Sequence, residues 1–217
     1  MPCFEGRGTF LVKSDIKVVA FDCDGVMFDS REANRAYYDH LLNHFHRPAM
    51  TSEQLAYVHM HTVDESLSFL MGDRVPLDAV HTYRRRLGYL PFLKNMQMEP
   101  GLVGLLETLR PRFKTAVATN RTDTMAYVLA QNRIEHLFDL VVCAQDVTFP
   151  KPHPEPLNRV ADHFAVTPRQ VVYVGDSQVD ETAARAAGMP FVAYRNPELK
   201  ADHHIRRLDE MANLLGL

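Results

Sequence analysis

Five short runs of consecutive apolar residues, rich in Val, Ala and Phe, punctuate the chain at 17–21, 115–119, 140–144, 171–174 and 191–194. Each is bounded by polar or turn-forming residues. Runs of this length without polar alternation fit strands buried on both faces, the habit of a parallel sheet. Helical spacing separates the last four. Leu102, Leu105, Leu106 and Leu109 form one stripe, with Pro100 placed to open its helix. Met125, Val128 and Leu129 form a second, and Leu157, Val160, Ala161 and Phe164 a third. Residues 179–187 give an Ala-rich fourth, stopped by Gly188 and Pro190. Strands alternating with helices predict an α/β protein with a doubly wound, Rossmann-like parallel sheet.

The stretch from Ser30 to about Met98 breaks this rhythm and reads as helical throughout. Ala33, Tyr37, Leu41 and Phe45 line one face of a first helix. Thr51 with Gln54, and Thr62 with Glu65, have capping-box spacing and mark two further starts. Pro76 begins a fourth helix running to about Leu87. An insert of this size is too long for a crossover connection. It is expected to form an all-helical cap domain, residues 29–97, above the C-terminal strand ends of an α/β core made of 1–28 and 98–217. The hinges would lie near 28–30 and 94–100.

Composition changes this picture little. With 217 residues, 46% hydrophobic and 24% charged, the chain suits one good core plus a smaller appendage. A net charge of -3 without a long Lys/Arg run gives no reason to expect a nucleic-acid or membrane partner. The apolar runs are too short to span a bilayer, and the N-terminus lacks signal-peptide regions. Cys3, Cys23 and Cys143 are too few and scattered for a disulfide framework, which makes a cytoplasmic setting the expectation. A monomer or small homo-oligomer is expected.

Candidate chemistry lies at the strand ends, where open α/β sheets bind their ligands. The first strand runs into Asp22-Cys23-Asp24-Gly25, and the second into Thr119-Asn120. Lys151-Pro152 follows the third, and Gly175-Asp176-Ser177 ends the fourth, with Asp180 four residues on. Carboxylates at Asp22, Asp24 and Asp176 in one confined site would repel unless a cation sat among them. An all-oxygen set shared with a phosphate favours Mg²⁺. Lys151 adds positive charge, and the Thr119 hydroxyl and turn N–H groups can hold phosphoryl oxygens. These are the parts needed for transfer through an aspartyl-phosphate. Asp22 would be the nucleophile, and Asp24 would protonate the leaving alcohol and then deprotonate water.

In these four motifs the chain resembles the haloacid dehalogenase-like superfamily, and more closely its capped phosphatases, similar to phosphoglycolate phosphatase and β-phosphoglucomutase. The resemblance runs from about Ile16 to Leu217. It matches Asp-x-Asp-Gly at Asp22–Gly25, the motif-two hydroxyl at Thr119 with Asn120 following, and the motif-three lysine at Lys151. The acidic fourth motif matches Gly175 through Asp180. It implies phosphate contacts from Thr119, Asn120 and Lys151. Metal ligation is implied for Asp22, Asp176 and the backbone carbonyl of Asp24, and an auxiliary role for Asp180. The acid at position 24 points to phosphatases and phosphomutases rather than dehalogenases or ion pumps. A small phosphorylated metabolite is the implied substrate. Two rival readings are a phosphomutase and a non-catalytic regulatory module on the same fold.

Other residues invite blander readings. Cys23 should point away from its acidic neighbours, because strand side chains alternate, and should behave as a buried hydrophobe. The pairs His40/His44 and His59/His61 lack the Cys or acidic partner that would complete a zinc pattern. Tyr37-Tyr38 reads as cap packing. Arg31 and Arg35 lie near the start of the first cap helix, where a solvated face is the simpler expectation than the cleft. Residues 57–64 are a candidate specificity loop.

Overall fold

A computed structural model describes residues 15–217. Cys3 and the reading of the N-terminus as lacking a signal peptide fall outside the described residues.

β1 (Val18–Phe21) lies at the centre of a six-stranded sheet. It pairs in parallel with β4 (Lys114–Ala118) on one side and β6 (Val171–Gly175) on the other. β5 (Leu140–Val142) extends the first side, and β7 (Phe191–Tyr194) then β8 (His203–Ile205) the second, all in parallel. The order β5-β4-β1-β6-β7-β8 reverses between β1 and β6, so the crevice outside their carboxyl ends is the topological switch point.

Strand alternation splits the core into two layers. Val19 and Phe21 of β1 pack with α5 (Leu102–Leu109), α6 (Met125–Asn132) and α9 (Glu210–Leu214). Val18 and Ala20 face α7 (Glu155–His163) and α8 (Gln178–Ala187) on the other side. The chain is therefore an α/β protein with a doubly wound, Rossmann-like parallel sheet.

Between β2 (Phe28–Asp29) and β3 (Gln97–Met98), which pair antiparallel, runs the helical insert that forms the fold's cap. It contains α1 (Arg31–His44), α2 (Ser52–Met60), α3 (Val63–Met71) and α4 (Leu77–Leu87). The Thr51/Gln54 and Thr62/Glu65 capping boxes are both formed. The insert has its own core, with Leu41, Leu67, Met71 and Val80 fully buried.

Several local expectations are corrected. The third strand stops at Val142 instead of Ala144, where the 3₁₀ turn Ala144–Asp146 takes over. Pro100 does not open α5, because Gly101 intervenes as a left-handed N-cap at φ 83°. Residues 57–64 are not a loop; they span the last turn of α2 and the first of α3, with His61 and Thr62 between. β2, β3, β8 and α9 carried no apolar run or stripe long enough to read.

Candidate active site

The strand ends at the switch point bring the motif residues together. Asp22 follows β1 directly and is buried, with its backbone N–H donating to Val174 O of β6 at 2.9 Å. Gly25 sits at φ +83°, and a Cβ there would lie 2.1 Å from Asp176 Oδ2. Only glycine combines that conformation with that approach. Gly175 is likewise required, since a Cβ would meet Asp180 Cβ at 2.4 Å.

Lys151 is the buried hub. Its ammonium donates to Asp180 Oδ1 at 2.7 Å and to the Tyr173 hydroxyl at 2.8 Å, and lies 2.8 Å from Asp22 Oδ1. Burial opposes the charge, but Asp180 and then Asp22 outweigh it and raise the lysine above its ordinary value. Asp180 has every oxygen engaged. Oδ1 takes Lys151 and Tyr173, while Oδ2 accepts from the Ser177 hydroxyl at 2.5 Å and the N–H groups of Ser177 and Asp176. Burial raises its carboxyl, but the Lys151 charge and these hydrogen bonds bring it below the usual range.

The neighbouring carboxylates behave differently. Burial pushes Asp22 up to about 7, with Asp180 and Asp24 adding to the rise and Lys151 offsetting part of it. Asp176 is raised well above its ordinary value by burial, then by Asp180 and Asp22. Lys151 approaches Asp22 Oδ1 as an ion-pair partner off the hydrogen-bond line, which leaves that buried oxygen without an aligned donor. One oxygen each of Asp22, Asp176 and Asp180 lie within 4.8 Å of one another. Crowded carboxylates that resist ionisation, one with an unserved oxygen, fit a hard divalent cation.

Asp24 turns away from this cluster. Arg121 grips it with two bonds, Nε to Oδ2 at 3.0 Å and Nη2 to Oδ1 at 2.6 Å, and the Ser30 hydroxyl also donates to Oδ1. Burial works to raise this carboxyl, but the Arg121 charge and hydrogen bonds lower it.

Asp22, Asp24, Thr119, Asn120 and Lys151 all line one cavity of about 70 Å³ beneath the helical insert. The Thr119 hydroxyl accepts from the Arg121 N–H at 3.1 Å, so its own proton is available to an incoming oxygen. Asn120 departs from the expected phosphate contact. Its side chain clamps the Lys151 backbone, accepting from N at 3.0 Å and donating to O at 2.8 Å, and also reaches Met60 O at 3.2 Å.

Arg121, Arg84, Tyr89 and Tyr173 escaped the sequence reading. Arg121 stood in plain view two residues after Thr119, but nothing in the sequence tied it to Asp24, 97 positions away. Met60, His61 and Val63 of the 57–64 segment line the cavity together with His59. Arg31 is exposed and Arg35 half-buried, and neither lines it; Arg35 borders a separate groove with Glu32 and Asp39. His40 and His44 stack on Tyr83, and His61 stacks on Tyr57. Cys23 is fully buried in the core. Tyr37 and Tyr38 belong to the insert's core and also border the cavity.

The haloacid dehalogenase-like hydrolase family profile matches residues 19–194. The chain belongs to that family. It is 30% identical over 210 residues to a phosphoglycolate phosphatase of Salmonella paratyphi A, covering 82% of this chain and 81% of the relative. It is 28% identical over 178 residues to the pyrophosphatase PpaX of Bacillus pumilus, covering 81% and 82%. Among solved structures, a subfamily IA haloacid dehalogenase-superfamily hydrolase from Geobacter sulfurreducens superposes with TM-score 0.81 at 38% identity, over 92% of this chain and 100% of that one. The family member described here is an enzyme, a phosphatase of the haloacid dehalogenase-like type. Among the described residues no helix is long and apolar enough to cross a membrane.

Proposed function

We propose that this phosphatase hydrolyses a small phosphate monoester through an aspartyl-phosphate on Asp22, with Mg²⁺ as cofactor, in the cytoplasm. The observation that carries this reading is the meeting of Asp22, Asp24, Thr119 and Lys151 on one cavity, with the Asp176 carboxylate beside Asp22. Residues 29–97 would act as the cap domain and 98–217, with the first strand, as the catalytic core.

The carboxylates of Asp22 and Asp176 and the Asp24 carbonyl would hold Mg²⁺. When bound, the ion neutralises charge on the phosphoryl group and on the carboxylates. Lys151 favours the ionised form of Asp22 against burial and balances the transferring oxygens, and the Thr119 hydroxyl donates to one of them. An Asp22 oxygen bonds to phosphorus as the ester P–O bond breaks, and the leaving oxygen takes a proton from the Asp24 carboxyl. Water then attacks phosphorus, giving a proton to Asp24, and inorganic phosphate departs from Asp22. Asp180 and Asn120 serve by holding Lys151.

The substrates named for the two relatives, phosphoglycolate and pyrophosphate, are both small. A cavity of about 70 Å³ is roughly half the ~150 Å³ that admits benzene, and also favours a compact leaving group. Phosphate release from a panel of monoesters, with and without Mg²⁺, tests the reading. Metal-dependent release without any isomerised sugar phosphate supports a phosphatase, while isomerisation without net release would assign a mutase instead.

A further inference from the structure

Arg121 is an unusual group to find in this cavity. Its side chain is only 6% exposed, so nearly all of its guanidinium hydration has been given up. Such a charge is tolerated only with a well-aligned counter-ion, and here that partner is the forked contact with Asp24. Nη1 has a neutral partner, Thr124 Oγ1, at 3.1 Å. The guanidinium carbon lies 5.0 Å from the Tyr89 ring centroid, so an aromatic face fixes the plane of the fork.

The reaction needs Asp24 elsewhere. While both Asp24 oxygens are held by Arg121 and Ser30, the carboxyl cannot swing to a leaving oxygen without leaving the buried guanidinium short of a partner. A second carboxylate or phosphate would fill the vacated fork, because it offers the same two-oxygen geometry. The surroundings agree. Arg84, 16% exposed and 3.9 Å from Asp123, and His59 line the same space from the insert. Asp24 thus occupies, in this structure, the place of a ligand anion.

We propose that Arg121 is the specificity-determining residue, binding a second anionic group on the leaving alcohol and thereby releasing Asp24 to the reacting oxygen. This deepens the phosphatase reading and rests on it. Substrates are then short phosphate esters whose alcohol carries a carboxylate or phosphate. Neutral esters of equal size leave the Arg121–Asp24 pair closed.

The test compares kcat/KM within two matched pairs, 2-phosphoglycolate against ethyl phosphate and ethylene glycol bisphosphate against 2-hydroxyethyl phosphate. Wild type should favour the doubly anionic member of at least one pair by about 100-fold or more. The pair with the larger ratio tells carboxylate from phosphate. In Arg121→Gln that ratio should fall to within about threefold, and Arg121→Lys, which keeps charge but loses the fork, should recover part of it. Reading ratios cancels any general loss of rate. A merely structural Arg121 would slow both members alike and leave the ratio unchanged, which overturns the proposal. Near-equal use of both members by wild type overturns it too, without recourse to a variant that fails to fold. No release from any ester would instead remove the phosphatase reading beneath it.

Discussion

Lys151 lies within 2.8 Å of Asp22 and 2.7 Å of Asp180, and Asp180 is completely buried. Removing one partner of such a cluster strands the other charges in a poor solvent. Lys151→Met keeps most of the side chain's length without its charge and should cost about 3–5 kcal/mol at neutral pH, read from the urea midpoint, together with loss of phosphate release. An unchanged midpoint would mean that the ammonium is not the counter-ion assigned here. At this scale the motif residues were legible because each is a polar residue at the end of an apolar strand. Tyr173 was not, since inside the strand 171–174 it read simply as core, whereas its hydroxyl bridges Lys151, Asp180 and Ala118 O. Asn120 lines the cavity, but its side chain is spent on the backbone of Lys151.

Elements carry these residues only where backbone approach allows it. The turn after β1 depends on Gly25, whose φ of +83° and 2.1 Å Cβ clearance from Asp176 leave no room for a side chain. Gly25→Ala should destabilise the fold by ~1–3 kcal/mol from the backbone conformation alone and displace Asp176, abolishing activity. Equilibrium unfolding and phosphate release measured on one preparation check both. Wild-type activity in that variant would contradict the placement of Asp176. The central strands and the capped helices announced themselves through period and end signals, since their packing is dictated by those same residues. β8 escaped because His203-His204 breaks any apolar run, and β2 and β3 because two residues carry no period.

The whole molecule couples metal, protons and stability. Without a cation, burial keeps Asp22 protonated up to about 7 and raises Asp176 well above its ordinary value, whereas unfolded aspartates titrate near ~3.9. Over that interval the folded state binds more protons than the unfolded state, so these groups make stability fall as pH rises from about 4 through about 7. A divalent ion takes the place of those protons. Saturating Mg²⁺ should therefore raise Tm by roughly 5–10 °C at pH 8 and by far less at pH 5, as calorimetry with Mg²⁺ or a chelator would show. Equal shifts at both pH values would contradict the carboxylate cluster as the binding site. The way the insert meets the core was not readable in advance. Asn120 reaches Met60 O, and Arg84 pairs with Asp123, across separations of 60 and 39 positions.

The central claim is that Asp22 carries the phosphoryl group. Its most direct test is inorganic phosphate release from small phosphate monoesters in Mg²⁺, comparing wild type with Asp22→Asn. The account predicts release by wild type that stops when the metal is chelated, and none above background from a folded Asp22→Asn protein. Release by the folded variant at the wild-type rate would contradict it.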